Sequence, residues 1–200
     1  QYDYFIIVHV PYGELRFSGV EQPSFYAINP EKTVLLGSFS KIVVPGFRIG
    51  WIVAPEKLRQ KLLVAKQAAD LHTCNFTQYI MHRFLTDNDL KEHIQTIKDA
   101  YGRQCCAMLD CIGKYFPKEV SHTRPEGGMF LWGRLPEEKS SMELFDEAIK
   151  EKVVFVPGNP FYTTTLETRS DFRLNFSCVD EQTIEAGIKA LGKAIERILV

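Results

Sequence analysis

The sequence lacks long runs of like charge and long apolar runs. Of its 200 residues, 24 are basic and 25 are acidic, and neither sign gathers into a block, so the usual electrostatic signature of a nucleic-acid-binding chain is missing. The longest apolar runs are too short to cross a membrane, and the first residues lack the charged and apolar regions of a secretory signal. We therefore expect a cytoplasmic protein with no nucleic-acid and no membrane partner.

Paired cysteines and metal-ligand spacings are missing as well. The five cysteines are odd in number, and no two of them form a C-x-x-C pattern, which indicates reduced thiols in a cytosolic protein. Cys105 and Cys106 are adjacent on a predicted helix and therefore point in different directions, as packing thiols do. The histidines are scattered, and we predict no metal site.

Short apolar runs rich in β-branched residues alternate with amphipathic stretches, which indicates an α/β fold. The long helix predicted at 88–115 would bridge two lobes. The predicted strands are 4–10, 33–38, 49–54, 120–122, 129–132, 153–156 and 171–176. The predicted helices are 55–69, 77–85, 88–115, 141–151 and 181–199, the last with Asp180 as its N-cap.

One segment combines the groups that bind an aldehyde and a phosphate. Lys41 follows a predicted strand, Ser38 and Ser40 stand just before it, and Arg48 comes seven residues later. A primary amine with a lowered pKa can form a Schiff base with a carbonyl group. Hydroxyl groups and a planar guanidinium can bind phosphate oxygens. The same spacing also fits a surface Ser-Lys turn with an unrelated arginine, so the residues alone leave both interpretations open.

The segment Gly37-Ser38-Phe39-Ser40-Lys41 with Pro45-Gly46-Phe47-Arg48-Ile49-Gly50-Trp51 resembles the lysine motif of fold-type I, class I/II aminotransferases. The likeness is strongest to the branch that contains 2-aminoadipate and kynurenine aminotransferases and the aminotransferase-like domains of MocR regulators. Further segments stand in the order that this family shows, so the resemblance covers essentially the whole chain. They are 11–17 (PYGELRF), 125–132 (PEGGMFLW), 156–158 (VPG) with Phe161-Tyr162, and 172–177 (FRLNFS).

The resemblance implies pyridoxal 5′-phosphate as the cofactor and gives roles to individual residues. Lys41 would hold the cofactor as a Schiff base and then move a proton between the substrate α-carbon and the C4′ atom of the cofactor. Ser38 and Arg48 would bind the cofactor phosphate, with help from Ser40. Tyr12 would donate a hydrogen bond to O3′ of the cofactor, although a buried aromatic residue after a strand would also account for it.

Substrate binding is implied for Arg173. A guanidinium that binds the α-carboxylate at two points would hold the Cα–H bond perpendicular to the cofactor ring. The alternative is a strand residue that pairs with a local acid such as Asp171. The substrates implied are an α-amino acid and a 2-oxo acid, and the sequence does not identify which ones.

The sequence departs from the family at His9. Three positions before the tyrosine, family members carry an aspartate that pairs with the pyridine nitrogen of the cofactor. A carboxylate keeps that nitrogen protonated, so that the ring accepts electrons, and a histidine cannot supply the negative charge. We therefore expect a poor transaminase, or else a core histidine without a role. Asp3, at the start of the strand, is in the wrong place to substitute.

The resemblance also implies an organisation. Residues 1–95 correspond to the end of the large cofactor-binding domain of fold type I, and residues 96–200 to the small α+β domain. The glycine- and serine-rich phosphate loop of the family would lie upstream, so we expect a truncated chain that binds the cofactor weakly by itself. The family implies a homodimer. Two alternatives are the ligand-sensing domain of a MocR-type transcription regulator and a non-catalytic fragment.

Overall fold

The chain divides into two compact units, Gln1–Lys98 and Asp99–Val200. The computed structural model describes residues 4–163 and 169–200. Strands and helices alternate along much of the chain, which confirms the α/β prediction. The assignment of residues 1–95 and 96–200 to a cofactor-binding domain and a small domain stays a prediction.

The first unit contains a three-stranded sheet with the order β1-β2-β3. β1 pairs in parallel with β2, and β3 pairs with β2 in the antiparallel direction. The strands predicted at 33–38 and 49–54, on either side of the lysine motif, are confirmed, and the first of them agrees with its predicted bounds to the residue. The strands are β1 (Ile6–His9), β2 (Thr33–Ser38) and β3 (Gly50–Val53).

β1 is exposed on one face. Side chains alternate across a strand, so Ile6 and Val8 are half-buried while Ile7 and His9 point to the other face, where Ile7 is 70% exposed. The prediction of a buried strand at 4–10 is therefore wrong for that face. The strand also ends earlier than predicted, because Pro11 has no N–H to continue the ladder.

The helices of the first unit follow the sheet strands. Pro55 is the N-cap of α2, which starts at the next residue. The helices are α1 (Phe25–Ile28), α2 (Glu56–Asp70) and α3 (Asn75–Asp87), followed by α4 (Leu90–Tyr115), which runs on into the second unit. Within residues 4–163 and 169–200, no helix is both long enough and apolar enough to span a membrane.

The second unit contains a four-stranded antiparallel sheet with the order β4-β5-β7-β6. Its longest pairing joins β5 to β7, and Trp132 lies opposite Arg173 in that register. The strands are β4 (Ser121–His122), β5 (Phe130–Arg134), β6 (Val156–Pro157) and β7 (Asp171–Asn175), and the helices are α5 (Ser141–Lys150) and α6 (Glu181–Leu199).

The core of the second unit lies on one face of this sheet. Phe172 and Leu174 of β7 point into it, and Leu131 of β5 points the same way. α6 presents a regular apolar stripe to the core, as its period predicts. The stripe consists of Ile184, Ile188, Leu191, Ala194 and Ile195. The helix has the predicted bounds, and the Asp180 side chain caps it by accepting from the N–H of Thr183 at 2.8 Å.

The strand predicted at 153–156 is mostly wrong. The N–H groups of Lys152 and Val153 close the end of α5 by donating to Ile149 and Ala148, so they are not available for a strand ladder. Phe155 then turns into the core. Only Val156–Pro157 pairs with β7.

Candidate active site

The lysine motif lies at the carboxyl edge of the first sheet. Because β1 and β2 are parallel, their carboxyl ends share one edge, which is where α/β sheets bind ligands. His9 is the last residue of β1, and Ser38 is the last residue of β2. Tyr12 and Lys41 each follow their strand by three residues, so the topology brings both loops to this edge.

Lys41 and Tyr12 are in contact. The Lys41 Nζ atom lies 5.7 Å from the centre of the Tyr12 ring, and both residues are half-buried. Tyr12 is held in a turn in which its carbonyl accepts from the N–H of Leu15 at 2.9 Å, and the Leu15 side chain is completely buried. The amine therefore faces an anchored aromatic ring that also carries a hydroxyl group.

Ser38 and Ser40 are also close together. The Ser38 Oγ atom accepts from the Ser40 N–H at 3.1 Å, so the first hydroxyl orients the start of the turn that carries Lys41. The turn continues with donation from the N–H of Val43 to the Phe39 carbonyl at 2.8 Å. The Ser38 hydroxyl keeps its own proton for donation to another group.

Arg48 has an unusual backbone conformation. It follows a 3-10 turn at Pro45–Phe47 and adopts φ 55° and ψ 39°, the left-handed region. The exposed guanidinium donates from Nη1 to the Pro45 carbonyl at 3.1 Å. A non-glycine residue in this region is uncommon and is enriched at ligand sites. Ser38 and Arg48 stand at the start and near the end of the β2–β3 connection.

His9 is exposed at the end of β1. Its position at the carboxyl edge agrees with a place near a ligand bound there, and its role toward a pyridine nitrogen stays a prediction.

Arg173 belongs to the second unit and lies against two aromatic rings. Its Cζ atom is 4.0 Å from the centre of the Phe130 ring and 4.8 Å from that of Phe161. Its Nε atom is buried and has no hydrogen-bond partner among residues 4–163 and 169–200. The alternative of a pair between Arg173 and Asp171 is not what the structure contains, because the carboxylate of Asp171 pairs with Arg134 at 2.6 Å.

The surroundings of Arg173 contain a buried acid that sequence reasoning gave no function. Asp171 is 4% exposed and accepts from Trp132, Arg134 and Tyr162. Burial raises the pKa of the Asp171 carboxyl, but these hydrogen bonds outweigh burial, and the pKa lies below its usual value. The sequence did contain a signal for the donors around Asp171, because Trp132 and Arg134 alternate with apolar positions on β5.

Two groups of predicted site residues are thus distinguished. Lys41 with Tyr12, and Ser38 with Ser40, are brought together in the first unit, whereas Arg173 is built into the second. Among residues 4–163 and 169–200, no three potential metal ligands cluster.

Comparisons with known proteins gave matches over nearly the whole chain. The family described as "Aminotransferase class I and II" matches residues 5–191. Aromatic-amino-acid aminotransferase 1 of Thermococcus litoralis is 40% identical over 98% of the chain and 47% of its own length. The chain superposes with a TM-score of 0.92 and 36% identity on LysN, the α-aminoadipate aminotransferase of Thermus thermophilus, solved with N-(5′-phosphopyridoxyl)-L-leucine. That match covers 98% of this chain and 51% of LysN.

A relative of another kind is the HTH-type transcriptional regulator YjiR of Escherichia coli. It is 30% identical over 94% of the chain, which corresponds to 40% of the regulator. The chain spans about half the length, or less, of the relatives that it matches.

Proposed function

This chain belongs to the class I and II aminotransferase family, and on that premise we propose that it carries the catalytic lysine of a pyridoxal-phosphate-dependent transaminase. Such an enzyme moves an amino group from an α-amino acid to a 2-oxo acid in two half-reactions. The observation that carries the proposal is the position of Lys41, whose half-buried amine lies 5.7 Å from the Tyr12 ring centre at the carboxyl edge of a sheet.

Within this proposal, the first unit is the end of the cofactor-binding domain and the second unit is the small domain. The likeness to LysN over essentially the whole chain supports this assignment. The working protein would be a homodimer, as the family resemblance implies.

The residues at the carboxyl edge fit a phosphorylated pyridine aldehyde. When bound, pyridoxal phosphate supplies an aldehyde that takes up amino groups and a ring that accepts electrons from the substrate α-carbon. The primary amine of Lys41 would hold the aldehyde and, once free, would remove the α-proton from the substrate. Ser38 and Arg48, with Ser40, offer phosphate donors, and the Tyr12 hydroxyl is a donor for the ring oxygen.

Arg173 fits the role of a carboxylate clamp. A planar guanidinium donates two parallel hydrogen bonds to a carboxylate, and this one lies against two aromatic rings. Its buried Nε atom lacks a partner within the described chain, so a substrate carboxylate would satisfy a donor that is otherwise left unpaired. Fixing the α-carboxylate orients the α-proton for removal.

His9 limits the rate in this proposal. An imidazole supplies no negative charge, so it would leave the pyridine nitrogen largely unprotonated and weaken the electron sink. Transamination would then be slow, while its substrates would still be an α-amino acid and a 2-oxo acid.

The test is to trap the cofactor on its lysine. The protein is incubated with pyridoxal phosphate, reduced with borohydride and digested, and the phosphopyridoxyl group is located by mass spectrometry. We expect the label on the peptide that contains Lys41, and no label there in Lys41→Ala. Lys57→Ala is the matched control, because Lys57 also lies over an aromatic ring, that of Phe5, in the same unit. Labelling confined to another lysine would refute the proposal.

A second candidate function is ligand sensing in a transcription regulator, and the similarity to YjiR favours it. Such a protein would bind the cofactor and an amino acid without repeated turnover. Steady-state assays with an amino acid and a 2-oxo acid separate the two functions. Product beyond one equivalent per chain supports the transaminase, and a single equivalent supports the sensor.

A further inference from the structure

The face of the second sheet opposite the core carries a set of polar and aromatic side chains. Asp171 and Arg173 are two residues apart on β7 and therefore point to the same face. In the register with β5, Arg134 lies opposite Asp171 and Trp132 lies opposite Arg173. Four side chains thus lie next to one another on this face.

Asp171 holds three of its neighbours at once. Its Oδ1 atom accepts from the Trp132 indole at 3.2 Å and from the Arg134 Nε atom at 2.6 Å. Its Oδ2 atom accepts from the Tyr162 hydroxyl at 2.5 Å. A carboxylate can accept at both oxygens simultaneously, whereas a neutral amide cannot replace all of these bonds, because it has only one acceptor oxygen.

The same residue anchors both ends of a short turn. The Asp171 carbonyl accepts from the Gly158 N–H at 2.7 Å, and its carboxylate binds the Tyr162 hydroxyl. Between these anchors is the 3-10 turn Asn159–Phe161. The position next to Asp171 requires glycine, because a Cβ on Gly158 would lie 2.7 Å from the Asp171 carbonyl oxygen.

The turn carries the ring that flanks Arg173. The centre of the Phe161 ring lies 4.8 Å from the Arg173 Cζ atom. The Trp132 ring contacts the Phe161 ring edge-on, with a distance of 5.1 Å between ring centres. Asp171 therefore reaches Phe161 by two routes, through the indole of Trp132 and through the anchored turn.

We propose that Asp171 is a positioning residue for Arg173, acting by holding Trp132 and the Phe161 turn so that the guanidinium faces a substrate carboxylate. This inference rests on the proposed function, because it gives Asp171 a part in carboxylate binding. Asp171 itself touches no reacting atom.

The experiment follows the first half-reaction in the cofactor-loaded protein. The absorbance change after addition of L-phenylalanine or L-2-aminoadipate, whichever reacts faster, gives a half-saturating concentration and a maximal rate. We expect Asp171→Asn to raise the half-saturating concentration about tenfold, as for the loss of one good contact, while the maximal rate falls much less. Arg134→Gln is the matched control, because it removes one donor to Asp171 and leaves the bonds from Trp132 and Tyr162. We expect this variant to change the half-saturating concentration little.

Two further variants separate positioning from folding. Arg173→Lys should raise the half-saturating concentration by itself, and adding Asp171→Asn to it should cause no further rise, since both act on the same contact. Tyr162→Phe removes only one hydroxyl and replaces Asp171→Asn in the test if that variant does not fold. We expect Tyr162→Phe to raise the half-saturating concentration as well.

The outcomes are distinguishable. If Arg173→Lys leaves half-saturation unchanged, the clamp of the proposed function is wrong, and the inference falls with it. If Arg173→Lys matters but Asp171→Asn and Tyr162→Phe only lower the melting temperature, the clamp stands and Asp171 is merely structural. Additive effects of the two substitutions would also overturn the inference.

Discussion

The backbone carbonyl of Tyr115 occupies the space that a side chain at Gly192 would need. A Cβ atom on Gly192 would lie 2.3 Å from that oxygen and 3.1 Å from its carbon. Both atoms are backbone at the end of α4, so they cannot move aside as a flexible side chain could. The close approach of α4 and α6 therefore depends on glycine at this position.

Gly192→Ala should destabilise the protein. We expect a loss of about 1–3 kcal/mol in the free energy of unfolding, typical of overpacking. Gly187→Ala, also in α6, is the matched control, because nothing lies within 4 Å of its Cβ position. There the better helix propensity of alanine should stabilise by roughly 1 kcal/mol. Urea unfolding measures the free energy of unfolding of both variants. Equal changes in the two would contradict the close packing of Gly192 against Tyr115.

His9→Asp should speed the first half-reaction. A carboxylate next to a basic nitrogen raises its pKa by about 1–3 units, so the protonated fraction of the cofactor ring and the rate of α-proton removal should rise by roughly tenfold or more. His9→Asn is the control, since it has the size of aspartate without its charge. Rapid-mixing absorbance measures the rates. Identical rates for the two variants would exclude a position near the pyridine nitrogen.

Asp171 should make stability depend on acid pH. The folded pKa of its carboxyl lies below the ordinary value of 3.8, so its ionised form stabilises the fold at pH above about 3.8. This contribution is lost as the pH falls from there through the lower folded pKa. Asp171→Asn should cost about 2 kcal/mol at pH 7, as for hydrogen bonds to a charged group. The difference from the parent protein should shrink below pH 4, and a constant difference would contradict the pKa direction.

The cysteines should react in a set order. Burial, with a smaller contribution from the adjacent thiol of Cys106, raises the pKa of Cys105 to about 11. Backbone hydrogen bonds from Thr77 and Phe76 lower the pKa of the exposed Cys74 thiol. Because the thiolate is the reactive form, iodoacetamide at pH 8 should label Cys74 first and Cys105 at least about 100-fold more slowly.

Peptide mass spectrometry over time measures this order, and the protein unfolded in guanidinium chloride is the control. Unfolding should bring the two rates close together. Rapid labelling of Cys105 in the folded protein would show that its helix opens readily.

The sequence predicted the parts of the fold that local patterns determine. The bounds of β2 and α6 agree to the residue, since a short apolar run and a regular apolar stripe with a capping aspartate each mark their own ends. The resemblance assigned Lys41 and Tyr12 to the same cofactor, and the Lys41 Nζ atom lies 5.7 Å from the centre of the Tyr12 ring. Their common sheet edge follows from the parallel pairing of the strands before them.

Other features depend on pairings between distant segments. Val153 looked like the start of a strand, but its N–H closes α5, which no residue pattern indicates. Likewise, the bonds of Asp171 reach Trp132 and Arg134, 39 and 37 residues away. The register of β5 against β7 creates these contacts, and a one-residue shift would send the same side chains to the core face.

Arg48 carries an energetic conflict in its backbone. An L-residue in the left-handed region is less stable than glycine by roughly 1 kcal/mol, so glycine at this position would relax the loop while deleting the phosphate donor that we propose. Selection for thermostability alone would therefore remove this arginine. Its persistence in variants selected for both stability and activity would mean that the loop is maintained for its ligand at the expense of the fold.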